Sequence, residues 1–274
     1  MAWAFPDICV FGLGHLSILQ LAVPPFGSIV QNMMKRLDAE IAAVLHRDYG
    51  IGFHPKVTGS IAIKNGDALF ERFSQHNPGR FMPLGSYSYT HSFFPHVARI
   101  GRYCSLGAGI EVMGAHHPID WISASPVFYS HKCAKRWKSG RSSFPAFQDM
   151  GPPVEIENDV WIGNGVLLAH GVKLGTGSII AARSIVTRDV PPYAIVGGAA
   201  ARFIRWRFDE KIIEKLLESQ WWQWPVSAWD ETDPRDISAF IDRATEVRET
   251  LLPMPELRMT ANELIAGLAK PAEA

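Results

Sequence analysis

Two adjacent histidines are the residues of this sequence best suited to proton transfer. His116 and His117 stand before Pro118 in the string G-A-H-H-P-I-D-W. An imidazole has an ordinary pKa of about 6.5, closer to neutrality than any other side chain. Such a base could activate a hydroxyl group, which is a poor nucleophile at neutral pH. The alternative for either histidine is a hydrogen-bonding role at a turn.

A period of six residues runs through the middle of the chain and indicates how these histidines are held. It matches neither an amphipathic helix nor an alternating strand, and it predicts a left-handed parallel β-helix built from hexapeptides. The aliphatic anchors are Ile156, Ile162, Leu168, Leu174, Ile180 and Val186, with Val160, Val166, Val172, Ser178 and Ser184 two positions before the later ones. A second run is Phe94, Ile100, Leu106 and Val112, and a weaker third run is Val57, Ile63 and Leu69.

The two main runs are out of phase, because Val112 and Ile156 are separated by 44 positions, which six does not divide. Something other than coil must lie between them. We expect residues 117–153 to leave the coil as an extended loop that covers a site on a neighbouring subunit, because a loop of this length in a compact domain is usually functional.

The two ends of the chain have different patterns. Residues 1–50 are expected to form an N-terminal extension, with a possible strand at Ile8–Phe11 and an amphipathic helix from Ser28 to His46. Residues 51–206 form the predicted coil, and residues 207–274 a helical region that caps its open end. Its first helix would run from Glu210 to Ser219 behind Asp209, and a second from about Pro234 to Leu251. The predicted fold is therefore mainly β with helical ends.

Composition limits the classes of function. The 27 basic and 27 acidic residues cancel, which argues against a nucleic-acid partner bound through a basic field. Three dispersed cysteines favour a reducing compartment, and we expect a cytoplasmic protein. No transmembrane segment is expected, because no run of about 18 apolar residues is uninterrupted. A secretory signal is not expected either, because no Lys or Arg precedes Lys35.

Several strings in order resemble the hexapeptide-repeat acyltransferases, especially the xenobiotic and chloramphenicol O-acetyltransferase branch. They are I-G-R-Y-C-S-L-G-A-G (100–109), G-A-H-H-P-I-D-W (114–121), S-P-V-F-Y (125–129), N-D-V-W-I-G-N-G (158–165), D-V-P-P-Y-A-I-V-G-G (189–198) and R-F-D-E (207–210). The resemblance implies a homotrimer of left-handed β-helices with active sites between subunits. It also implies direct transfer of an acetyl group from acetyl-coenzyme A to a hydroxyl, without a covalent acyl-enzyme.

The resemblance assigns roles to particular residues. His117 matches the general base, and the N–H of Asn164 matches the donor to the thioester oxygen. His116 stands where Asn is usual, and with Trp121 and Tyr129 it is expected to contact the acceptor. The expected coenzyme A contacts are Trp161, Gly163, Ala182, Thr187, Arg188, Arg202 and Arg205. The acceptor itself is expected to be a sugar or polysaccharide hydroxyl, or else a xenobiotic alcohol.

Two other functions remain as alternatives. A non-catalytic trimeric scaffold or ligand-binding protein could have the same coil. His91 and His96 form an H-x4-H pair similar to that of the γ-class carbonic anhydrases, with His54 or His76 as a further ligand. The other residues of that family are absent, so no metal is expected.

Overall fold

The computed structural model describes residues 36–140, 142–256 and 258–268, which belong to the compact unit Lys35–Ala274. The predicted strand at Ile8–Phe11 and the first part of the predicted helix from Ser28 lie outside the described residues. The described strands are β1 (Arg36–Leu37), β2 (Gly52–Phe53), β3 (Ile61–Ala62), β4 (Gln75–His76), β5 (Tyr89–Thr90), β6 (Val97–Ile100), β7 (Ser105–Leu106), β8 (Glu111–Val112), β9 (Val154–Ile156), β10 (Trp161–Ile162), β11 (Leu167–Leu168), β12 (Lys173–Leu174), β13 (Ile179–Ile180), β14 (Ile185–Val186), β15 (Ala194–Gly197) and β16 (Arg202–Trp206).

All of these strands except β1 and β3 form the faces of a three-sided coil, which is parallel apart from β16. Trp161 pairs with Ile179 and Leu167 with Ile185, in each case 18 residues further along the chain. One turn of the coil is therefore three hexads, which confirms the period of six. The first face contains β2, β4, β5, β7, β10, β13 and β15, followed by the antiparallel β16. The second contains β8, β11 and β14, and the third β6, β9 and β12.

The hexad anchors form the core of the coil. Every anchor from Ile156 to Val186 is at most 1% exposed, and the small residues before them are buried as well. An aliphatic side chain every sixth residue fills the prism, because each hexad supplies one edge of the triangle. The weak third run does not continue this pattern. Leu69 is 49% exposed, and Val57 packs in a separate cluster with Leu45 and Phe70, so that part of the repeat prediction is wrong.

The phase break is an insertion between two faces of the coil. Leu106 pairs with Ile162, which is 56 residues later instead of 18. The 38 additional residues follow β8 on the second face and end before β9 on the third. We call residues 114–153 the excursion; the coil register continues on both sides of it, as the sequence indicated.

The helices lie around this coil: α1 (Ala39–Tyr49), α2 (His131–Arg136), α3 (Glu210–Ser219), α4 (Ile237–Thr250) and α5 (Ala261–Leu268). Helix α1 begins later than predicted, because Arg36–Leu37 pairs as a strand with Ile61–Ala62. The Asp38 side chain then accepts from Ile41 N–H at 2.9 Å, which caps the helix. Gly50 ends it with a φ of 67°, a conformation that glycine adopts readily.

The C-terminal helices pack at different parts of the coil. Helices α3 and α4 pack on Tyr193, which follows the last complete hexads. Helix α5 joins the cluster of α1 through Ala261, and Phe70 and Met259 exchange backbone hydrogen bonds. The helical region therefore covers more than the one end expected. Within the described ranges, no helix is both long and apolar enough to cross a membrane.

Candidate functional site

His117 has one ring nitrogen fixed and the other available. Its Nδ1 lies 2.8 Å from the carbonyl oxygen of Ala124 and 2.9 Å from the hydroxyl oxygen of Tyr129. A carbonyl can only accept, so Nδ1 carries a proton, and in the neutral imidazole Nε2 then has the lone pair. The side chain is exposed, and Nε2 has no partner among the described residues. This is the protonation state that a general base requires.

His116 is held in a different way from His117. Its backbone N–H donates to the carbonyl of Asp149 at 2.6 Å, and its ring meets the ring of His170 edge-on, with centroids 5.1 Å apart. This histidine is therefore attached to the base of the excursion, whereas His117 lies against Ala124 and Tyr129 further along it.

His170 joins the two ends of the excursion to the coil. Its Nε2 donates to the carbonyl of Met113, and its Nδ1 accepts from the N–H of Gly151 at 2.8 Å. His96 also donates to the carbonyl of Gly151, at 2.7 Å. Sequence reasoning assigned no role to His170. A histidine directly before Gly171 at a coil corner was the available signal, but its partners are 19 and 57 residues away.

Tyr129 connects His117 to a cluster of aromatic rings. The centroids of Tyr129 and Phe147 are 4.8 Å apart, and Trp121 contacts each of them, at 6.0 Å and 5.6 Å. The structure therefore brings Trp121 into contact with Tyr129, and Tyr129 into contact with His117, while their binding of an acceptor stays a prediction. Phe147 belongs to the same cluster but was not singled out from the sequence.

The predicted donor-binding residues of the coil gather at one corner. Trp161 is 55% exposed on the first face, two residues before Gly163. A Cβ on Gly163 would lie 2.6 Å from Ala182 N, so the coils approach too closely for any larger residue. The Asn164 side chain accepts from Ala108 N–H at 2.9 Å, while its own N–H has no acceptor within the described residues.

The coil ends in a recess of about 370 Å³ between β14 and β16. Its predicted members are Thr187, Arg188 and Arg202, and the exposed rings of Phe203 and Trp206 also line it. Arg205 differs from the other two arginines. Its guanidinium donates to the carbonyl of Trp206 at 2.9 Å, and it does not line this recess.

A second cavity, of about 410 Å³, lies between helices α3 and α4 and Tyr193. Its charged side chains include Asp159 and Arg207, which form an ion pair at 2.8 Å. Burial raises the pKa of Asp159 above its ordinary value, and Arg207 partly opposes that effect. Because this acid is already paired, the cavity offers a less suitable base than His117.

The four histidines considered for a carbonic anhydrase-like metal site do not form one cluster. His76 is fully buried, hydrogen-bonds to Ser74, and accepts from Met82 N–H. Its burial lowers its pKa to about 3. The ring centroids of His54 and His91 are 4.8 Å apart, with one ring edge-on to the other. His96 Nε2 instead hydrogen-bonds to the carbonyl of Gly151. Over the described ranges, no three His, Cys, Asp or Glu residues are grouped to hold a metal ion.

Comparison with known proteins identifies the family. The model of the bacterial transferase hexapeptide (six repeats) matches residues 153–188. A chloramphenicol acetyltransferase of Morganella morganii is 37% identical over 178 residues, which cover 59% of this chain and 82% of the relative. A chloramphenicol acetyltransferase of Klebsiella aerogenes is 40% identical over 163 residues, covering 54% of this chain and 75% of the relative.

Among solved structures, a hexapeptide-repeat acetyltransferase of Vibrio cholerae in complex with acetyl coenzyme A is 22% identical. It covers 66% of this chain and 85% of its own, with a TM-score of 0.29. The two sequence relatives are matched over most of their length, and the coil of this chain agrees with a hexapeptide repeat. The chain belongs to the hexapeptide-repeat acyltransferases, in the branch that contains the chloramphenicol acetyltransferases.

Proposed function

We propose that this acetyltransferase moves the acetyl group of acetyl-coenzyme A to a hydroxyl of a small molecule, with His117 as the general base. The observation that carries the proposal is the hydrogen bond from His117 Nδ1 to Ala124 O at 2.8 Å. It leaves the Nε2 lone pair free on an exposed side chain, at the end of the ring where a hydroxyl can approach.

The proposed reaction is a direct transfer. Acetyl-coenzyme A supplies a thioester carbonyl carbon, to which the acceptor oxygen bonds while its proton moves to Nε2 of His117. The carbon–sulfur bond then breaks, and the coenzyme A sulfur takes the proton back from the imidazolium. The N–H of Asn164 is the proposed donor to the thioester oxygen, because it is unpaired within the described residues and fixed at a coil corner.

The coil residues fit the long donor molecule. Gly163 and Ala182 lie against each other in neighbouring turns of the coil, and their small size would allow a chain such as pantetheine to lie close to the backbone there. Thr187, Arg188 and Arg202 line the recess at the end of the coil, where the guanidinium groups could bind phosphate. Trp161 stands exposed beside this path.

A left-handed coil and a homotrimer complete the proposal. In one chain, His117 contacts its own excursion, while Asn164 contacts the coil residues Ala108 and Arg183. A neighbouring subunit would bring the two groups together. Ile119 and Ile122 support this arrangement, because they lie in the loop between His117 and Ala124 and are 99% and 96% exposed, which is costly for isolated large apolar side chains.

The acceptor is proposed to be an apolar alcohol of the chloramphenicol type. The cluster of Trp121, Tyr129 and Phe147 beside His117 favours a ligand with an aromatic or apolar body. The names of the two relatives agree with that class. A sugar hydroxyl is the second candidate, because aromatic rings also pack against the apolar faces of sugars.

The test is a thiol-release assay with acetyl-coenzyme A and a panel of chloramphenicol-like alcohols and sugars. His117→Asn can still donate to Ala124 but cannot accept a proton at neutral pH, and we expect its kcat to fall by about 10²–10⁴-fold. His116→Asn is the matched control, and we expect a much smaller loss. Wild-type kcat in His117→Asn would refute the assignment of the base.

The same assay separates the alternative functions. A non-catalytic scaffold would bind coenzyme A in a calorimeter and release no thiol with any acceptor. A metalloenzyme of the carbonic anhydrase type would contain stoichiometric zinc and lose activity on chelation. We expect turnover that is insensitive to chelators.

A further inference from the structure

The Tyr129 hydroxyl shares a nitrogen of His117 with a backbone carbonyl. Tyr129 Oη lies 2.9 Å from His117 Nδ1, and Ala124 O lies 2.8 Å from the same atom. Family resemblance placed Tyr129 among the acceptor-contacting residues. Its position against the nitrogen opposite Nε2 indicates a different role.

The directions of these two hydrogen bonds follow from the chemistry of the atoms. Ala124 O has no proton to donate, so the proton in the hydrogen bond between Ala124 O and His117 Nδ1 lies on Nδ1. Tyr129 Oη therefore offers a lone pair to the same N–H, in a three-centre bond. The reversed arrangement, with Tyr129 donating to an unprotonated Nδ1, would place that lone pair against the carbonyl of Ala124 at 2.8 Å.

The ring of Tyr129 is held in this position by its surroundings. A short turn at Pro126–Phe128 precedes it, and Tyr129 N–H donates to Pro126 O at 3.2 Å. Phe147 packs on one part of the ring at 4.8 Å and Trp121 meets it edge-on at 6.0 Å. The hydroxyl oxygen is therefore fixed before any acceptor binds.

The phenol also remains protonated and uncharged. Loss of solvent contact, with smaller contributions from Asp149 and Cys133, raises the pKa of Tyr129 above its ordinary value. A neutral hydroxyl accepts moderately from a neutral imidazole, and more strongly from an imidazolium, whose N–H is more acidic. The contact therefore strengthens as His117 takes up the acceptor proton.

We infer that Tyr129 is a positioning residue for the general base: its hydroxyl accepts from the Nδ1–H that Ala124 O selects, holds the ring of His117 and stabilises the imidazolium that forms during transfer. This inference rests on the proposed function, in which His117 is the base. An interaction that is stronger in the transition state than in the ground state raises kcat and leaves acceptor binding nearly unchanged.

Tyr129→Phe tests the inference, because it removes the hydroxyl and keeps the ring. Loss of one hydrogen bond to a charged group should reduce kcat about threefold to tenfold, with the KM for chloramphenicol as acceptor within about twofold. Tyr49→Phe, in helix α1, is the control for removing a hydroxyl elsewhere, and we expect wild-type kinetics from it.

A pH titration of His117 distinguishes this role from a purely structural role of Tyr129, because only the proposed role predicts a change in the pKa of His117. Removing an acceptor of Nδ1–H disfavours the imidazolium, so the pKa of His117 should drop by about half a unit to one unit. Histidine ¹⁵N spectra of the full-length protein report this pKa directly and need no acceptor. His116 is next to His117 in the chain, and Asp149 and Cys133 act on Tyr129. All three are unchanged in the variant, so they act equally on both titrations.

The outcomes separate this inference from the proposed function. A raised KM with unchanged kcat and unchanged His117 pKa would make Tyr129 an acceptor contact and overturn the inference. Wild-type kcat and pKa in Tyr129→Phe would overturn it as well. Full activity of His117→Asn, measured in parallel, would instead refute the proposed function, whatever Tyr129→Phe does.

Discussion

Gly151 donates its N–H to Nδ1 of His170 at 2.8 Å, and this bond closes the base of the excursion. The opposite nitrogen of the same ring donates to Met113, the residue before the excursion leaves the coil. One imidazole therefore joins the beginning and the end of the excursion, which carries His117.

His170→Ala should loosen the excursion and leave the coil folded. Two backbone groups lose their partner, so we expect a loss of about 1–2 kcal/mol in the free energy of unfolding. The larger effect should be local, because the roots of the insertion are no longer tied. Limited trypsin digestion should cut faster at Lys132 and Lys135.

His46→Ala, at the end of helix α1, is the control for removing an exposed imidazole. It should leave the digestion rate unchanged. Equal digestion of His170→Ala and wild type would show that other contacts, such as His96 with Gly151, suffice to close the base.

Removing either arginine of the recess should weaken the binding of acetyl-coenzyme A and leave the binding of the acceptor unchanged. Arg188→Ala and Arg202→Ala each remove a cation from the recess, and we expect the KM for acetyl-coenzyme A to rise about tenfold in each variant. Arg205→Ala is a matched control, because Arg205 does not line the recess. A rise in KM for Arg205→Ala equal to that of the other two would place the phosphates elsewhere.

A substitution at Gly163 tests whether two turns of the coil approach each other as closely as the structure shows. A methyl group there would lie 2.6 Å from Ala182 N and 2.8 Å from its Cα, and neither backbone atom can move without disturbing the coil. Gly163→Ala should therefore reduce the free energy of unfolding by about 1–3 kcal/mol. Gly59→Ala has open space around the new methyl group and should be neutral. Denaturant melts of both variants measure the difference.

The ion pair of Glu71 and Arg102 makes the free energy of unfolding depend on pH. Arg102 binds both carboxylate oxygens of Glu71, and Ser86 N–H donates to one of them. Burial alone would raise the pKa of Glu71, but the hydrogen bonds from Arg102 and Ser86 outweigh it and lower the pKa below 4.5. The folded state therefore favours the charged form, so the pair stabilises the protein above pH about 4.5 and loses that contribution as the pH falls further.

Glu71→Gln should reduce the free energy of unfolding at pH 7 by about 3–5 kcal/mol, because Arg102 is left buried without its counter-charge. Its stability should also fall less steeply than that of the wild type below pH 4.5. Glu256→Gln breaks an exposed pair with Arg258 and should have almost no effect. Urea melts at pH 7 and pH 4 check both statements.

The coil could be predicted because its cause is local. Each hexad needs one aliphatic residue facing the axis, so the anchors repeat in the sequence as they do in space. The same reasoning located the insertion, since Val112 and Ile156 cannot belong to one unbroken series. Helix α3 was predicted with its observed bounds, because Asp209 is a capping residue and its side chain accepts from Ile212 N–H. The mainly β fold and the family followed from these patterns.

The tertiary structure decided how the histidines and arginines are used. Side chains of the same type have different partners, and some of those partners are distant in the chain. Tyr129 meets His117 because the excursion folds back on itself, and His170 reaches Met113 across 57 residues. The register between β15 and β16 shifts between Ile195 and Val196, so that Ile195 pairs with Arg205 but Val196 pairs with Phe203.

The sequence by itself therefore determined the repeating core and the residue types available for chemistry. Which imidazole nitrogen is free at His117, and which of Arg202 and Arg205 lines the recess, only the folded chain decided. The physical reason is that a hydrogen bond or a shared recess depends on distance and direction in space, and neither follows from spacing once the chain leaves a regular repeat.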